Sequence, residues 1–121
     1  MALINFSNHP SGAWSPEQLA AAARYGEIID ISFPAVDPNA DEAEINRLAH
    51  QCVAQILHGR DIRDTTVHIM GEFTLCYAII SRLHTLGVRC VASCTHRDVS
   101  YPTPETKEVH FHFIRFREYL K

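Results

Sequence analysis

The hydrophobic period of this chain switches repeatedly between two and about 3.6 residues, and that rhythm limits the folds open to it. A strand is expected at about residues 2–7, opening with Leu3-Ile4-Asn5-Phe6. After the polar loop Asn8-His9-Pro10-Ser11-Gly12 a helix begins, with Ser15 as N-cap, Pro16 at its first position and Gln18 completing a capping box. Gly26 stops it. A second strand reads Glu27 to Phe33, and prolines keep the following Pro34–Ala40 stretch irregular. Asp41 and Glu44 open a second helix, in which Ile45, Leu48, Ala49, Cys52, Val53 and Ile56 recur on one face until Gly59. The third strand, Thr66 to Met70, runs into Gly71-Glu72-Phe73-Thr74 and an almost wholly apolar third helix, closed by Gly87. A fourth strand from Val88 to Ser93 leads into Cys94-Thr95-His96-Arg97.

Only about ten residues, including Pro102 and Pro104, separate this run from a last strand at Glu108–Arg117. A parallel crossover needs about a dozen residues or more, so the last strand is expected to pair antiparallel with the fourth. The order β-α-β-α-β-α-β-β predicts a three-layer, Rossmann-like α/β domain spanning residues 1–121. Its mainly parallel sheet of four strands carries an antiparallel C-terminal edge strand, with three helices. Ligands of such sheets bind beyond the carboxyl ends of the strands, at a topological switch point. The first strand borders that point; its partner is the third strand or the fourth, depending on strand order.

Composition narrows the function. A formal charge of −3 gives no general affinity for duplex nucleic acid or anionic membrane, so any basic site is local. No apolar run approaches the ~20 residues of a membrane span, and no signal peptide is recognisable. Cys52, Cys76, Cys90 and Cys94 fall in expected helices and strands, as reduced thiols of a soluble cytoplasmic protein would. Neither a Gly-x-Gly-x-x-Gly nor a Walker sequence occurs, which disfavours dinucleotide dehydrogenases and triphosphatases.

Three polar clusters fall at expected strand ends: Ser7-Asn8-His9, Gly71-Glu72-Phe73-Thr74 and Ser93-Cys94-Thr95-His96-Arg97. Helix N-termini, hydroxyls, imidazoles and an Arg fork are the donors that phosphate oxygens and base edges require. Plain alternatives stand beside them. Ser7, Asn8 and Ser11 form turns readily, Glu72 would stabilise a helix start, and Arg97 would sit solvated on a hairpin. His110 and His112 share one face of the last strand, but no Cys or carboxylate cluster completes a metal set, so no metal ligand is assigned. His68 lies in a buried strand, where a hydrogen-bond partner is expected. A Ser/His hydrolase matches poorly, because there is no Gly-x-Ser-x-Gly elbow and no Asp placed to orient a His.

At Asn5-Phe6-Ser7-Asn8-His9, Met70-Gly71-Glu72-Phe73-Thr74 and Ala92-Ser93-Cys94-Thr95-His96-Arg97 the chain resembles small stand-alone CRISPR-associated proteins of type III systems, relatives of the CARF-like ring nucleases of antiviral defence. The resemblance covers nearly the whole chain in element order. It implies a homodimer that binds a cyclic oligoadenylate, cyclic tetra-adenylate foremost, across its two-fold axis. Some such proteins cleave the ring without a metal or other cofactor, the ribose 2′-hydroxyl being the nucleophile. His9 and His96 would then be the catalytic acid or base groups, Arg97 would hold phosphate, and Ser7, Asn8, Gly71, Glu72, Thr74, Ser93 and Thr95 would shape the ligand site. The family's run is Thr-Glu-Arg where this chain has Thr95-His96-Arg97, so the role of that Glu does not carry over. Two alternatives are a non-catalytic sensor or sponge for the same messenger and a Rossmann-like enzyme acting on free nucleotides.

Overall fold

Leu3, Ile4 and Phe6 are wholly buried, which puts the first strand, β1 (Ala2–Ser7), where both of its faces are covered. The computed structural model describes residues 1–121, and it flanks β1 with two parallel neighbours. On one side lies β2 (Glu27–Ser32); on the other lies β3 (Thr65–Ile69), in which every residue is buried. β4 (Arg89–Thr103) adds in parallel to β3, and β5 (Thr106–Glu118) pairs antiparallel with β4. The sheet order is β2-β1-β3-β4-β5. The expected Rossmann-like α/β architecture is therefore present, and the strand order left open by the sequence makes β3 the partner of β1 at the switch point.

The helices fall on opposite faces because the chain reverses its direction of winding after β2. Helix α1 (Pro16–Ala23) packs Ala22 with Leu3, Trp14, Val91 and Phe116 on one face. Helices α2 (Glu42–Leu57) and α3 (Phe73–Thr85) cover the other face through Ile56, Leu75, Ile79 and Leu83 against Ile4, Phe6, Val67 and Ile69. The caps follow from sequence: Ser15 accepts from the Gln18 amide and Asp41 from the Glu44 amide. No helix is long and apolar enough to cross a membrane.

Two expectations need correction. The fourth strand does not stop at Ser93 but continues to Thr103, and β5 begins at Thr106. The two form a long ribbon, and β4 keeps its β3 partner only from Arg89 to Val91. The alternation of side chains from Cys94 to Ser100 satisfies strand geometry on both faces, and β5 supplies the backbone partners that a loop would lack. The other correction concerns Gln18, whose side chain does not return to the N-cap. Its Nε2 reaches across to Ser93 Oγ at 3.0 Å.

Candidate functional site

Beyond the carboxyl ends of β1 and β3, on the α1 face of the sheet, lies a cleft of about 540 Å³. Its floor is His68 and Met70, one wall is the start of α1 with Trp14 and Gln18, and the ribbon forms the opposite wall. Along β4 alternate residues share a face, so Ser93 and Thr95 both line this cleft, and Arg97 follows on the same side opposite Phe111. A shift of register between Cys94 and Thr95 brings Phe113 beside Phe116, with ring centroids 5.0 Å apart, and Phe111 and Phe113 add aromatic surface to the cleft.

Behind the cleft runs a buried polar network. Asn5 donates through Nδ2 to the His9 carbonyl at 2.9 Å and to Asp30 Oδ1 at 2.8 Å. Its Oδ1 meets Ser7 Oγ and His68 Nδ1, each at 2.8 Å. The other ring nitrogen of His68 lies 2.7 Å from Ser93 Oγ. Trp14 packs edge-on against the His68 ring and donates to the His9 carbonyl at 3.1 Å, fixing the loop after β1. Ser11 ties that loop to Asp30 through its amide and its hydroxyl. Burial would raise the Asp30 carboxyl, but hydrogen bonds from Asn5 and Ser11 hold it below its ordinary value. Burial drives His68 the other way for an imidazole, down to about 4, with His9 adding to the effect, so it is neutral at physiological pH.

The residues singled out in the sequence divide. Ser93 and Thr95 line the cleft with His9, and Arg97 extends the same face. Ser7 is buried, donating to Asn5 and accepting from the His9 amide, so it supports the site from behind. Asn8 is exposed on the loop. His96 points to the opposite face of the ribbon, where its Nε2 and that of His112 each lie 2.9 Å from an oxygen of Asp98. His110 there meets Glu108, and no three His, Cys, Asp or Glu side chains converge as a metal set.

The cluster at α3 belongs elsewhere. Glu72 caps that helix, its carboxylate accepting from the Thr74 and Leu75 amides and from the Thr74 hydroxyl. Those bonds, from the Leu75 amide foremost, hold the carboxyl below its usual range. A side chain on Gly71 would collide with the Phe33 ring, only 2.6 Å from the position of a Cβ. Gly71, Glu72 and Thr74 are thus accounted for by capping and packing, outside the lining of this cleft.

Sequence reasoning missed Asn5, Trp14, Gln18 and His68 as site residues. A Ser/His pair does exist, oriented by an amide rather than an acid. The one signal available was a run of polar residues in strands otherwise buried: Asn5 and Ser7 in β1, His68 in β3.

Residues 1–117 match the family described as "Uncharacterized protein MJ1673 family". The chain belongs to this family. No curated protein and no solved structure matches it. The match ends one residue before the end of β5, so the cleft, the network and all of the ribbon but Glu118 lie within the segment shared with the MJ1673 family.

Proposed function

We propose that the chain binds a cyclic oligoadenylate, cyclic tetra-adenylate foremost, in paired clefts of a homodimer and opens the ring by metal-independent attack of a ribose 2′-hydroxyl. The observation that carries this reading is the wall chemistry of the cleft. Trp14, Phe111 and Phe113 offer stacking surface for a purine, while His9, Gln18, Ser93 and Thr95 offer hydrogen-bonding groups. Arg97, on the same face and outside the lining, supplies a cation where phosphate would emerge. The resemblance noted for the Ser93–Arg97 run agrees with this, because Ser93, Thr95 and Arg97 share one side of β4.

The ribbon supports the dimer. A two-stranded ribbon is marginal in water by itself. Its distal cleft-side face exposes Val99, Val109 and Phe111, while its other face is polar and ion-paired. A second copy closing over that apolar face would complete both clefts at once.

Calorimetric titration with cyclic tetra-adenylate tests the reading, with product followed separately by chromatography. Arg97→Ala should weaken binding about ten- to a hundredfold, the cost of a charge-assisted contact. Cleavage should survive chelator. No binding by folded wild type would end the proposal. Tight binding without product over hours would leave a sensor or sponge.

A further inference from the structure

Hydrogen-bond polarity in the network behind the cleft runs one way. The Asn5 amide nitrogen faces two groups that only accept, the His9 carbonyl and the Asp30 carboxylate. Its oxygen is therefore the atom that meets His68 Nδ1, and Nδ1 must carry the ring proton. A neutral imidazole protonated at Nδ1 leaves Nε2 as an acceptor, so Ser93 gives its only proton to His68. The Ser93 oxygen takes one bond from Gln18 and keeps one lone pair for the cleft. Ser93 can thus meet a ligand only as an acceptor, and a proton it receives can pass directly to His68.

From this geometry we infer that Ser93, backed by His68 and Asn5, is the catalytic base group for a hydroxyl nucleophile on the bound ligand. The assignment rests on the reading of the cleft as a ribonucleotide site. The ribose 2′-hydroxyl gives its proton to Ser93 Oγ as Ser93 passes its own to His68 Nε2. The freed oxygen bonds to phosphorus, the P–O5′ bond breaks, and the departing oxygen takes a proton from His9. His68, now an imidazolium, returns its proton to solvent through Ser93, and His9 is reprotonated from water.

The surroundings keep any imidazolium at His68 short-lived, because burial and the facing His9 both disfavour it. His9 faces His68 from the β1 loop, and Asp30 stands behind Asn5 on β2. Trp14 and Gln18 beside α1, Ser93 on β4 and Phe116 on β5 bring no charge. Burial keeps His68 in its base form before reaction and favours return of the proton afterwards.

The test compares wild type, Ser93→Ala, Ser93→Thr and His9→Ala on cyclic tetra-adenylate and on an analogue whose bridging 5′ oxygens are sulfur. Ser93→Ala should bind within about threefold of wild type yet cleave about 10²–10⁴-fold more slowly, and Ser93→Thr should recover most of that loss. A sulfur leaving group needs no proton, so it should rescue His9→Ala and fail to rescue Ser93→Ala. His68→Gln, acting through Ser93, should lower kcat and leave KM nearly unchanged. Ser93→Ala cleaving at the wild-type rate, or rescued by sulfur, overturns the assignment. Wild type that binds without cleaving also overturns it while leaving the ligand reading intact. A folded wild type that binds no cyclic tetra-adenylate fails the ligand reading itself.

Discussion

His68 has its ring almost fully withdrawn from water, at 1% exposure, and both nitrogens engaged. Its pKa falls from 6.5 to about 4 through burial, with the charge of His9 adding to the effect. Between those values the unfolded chain holds a proton that the folded chain refuses, so stability must drop as pH falls. This contribution is complete above pH 6.5 and is lost progressively toward pH 4, amounting at most to roughly 3 kcal/mol. Urea unfolding at intervals from pH 7.5 to 4.5 should show that slope in wild type and a flatter one in His68→Gln. At Gly71, the 2.6 Å approach of Phe33 predicts that Gly71→Ala costs about 1–3 kcal/mol by overpacking, measured the same way. Neither effect was legible in the sequence. A polar residue in a buried strand announces that it has partners, but Asn5, His68 and Ser93 are brought together only by strand register, with Asn5 directly beside His68.

Helix caps were the most readable elements, because capping uses neighbours in sequence: Ser15 with Gln18, Asp41 with Glu44. Glu72 shows the limit of that legibility, since the same carboxylate suits a helix start or a ligand. In the structure it is saturated by Thr74 and Leu75. Glu72→Ala should therefore lower stability by about 1 kcal/mol and leave affinity for cyclic tetra-adenylate unchanged; a large loss of affinity in calorimetry would give Glu72 a place in the site. The boundaries of β4 were misread because prolines at 102 and 104 suggested a loop. Pairing with β5 outweighs them: Pro102 sits where the register already shifts, between Ser100 and Thr103. That misreading also put His96 among the ligand groups, whereas strand alternation turns it toward Asp98.

At the scale of the molecule, the layer order followed from hydrophobic period alone, but strand order did not, because either neighbour of β1 is compatible with right-handed crossovers. The proposed dimer rests on a feature that appears only once the strands pair, a ribbon apolar on one distal face. Phe111, 66% exposed there, is the residue to test: Phe111→Asp should give a monomer by light scattering at micromolar concentration, where wild type should give a dimer. Light scattering that finds wild type monomeric with and without ligand would remove the two-copy site. The chain has a single tryptophan, Trp14, and it stands edge-on to His68 in the wall of the cleft. Emission excited selectively at the indole, away from the four tyrosines, is therefore an optical report from one place. An adenine stacked on the indole should quench it in proportion to occupancy, and imidazolium formation at His68 should quench it as pH drops toward 4. An unlabelled sample in a fluorimeter thus carries its own gauge of binding and protonation.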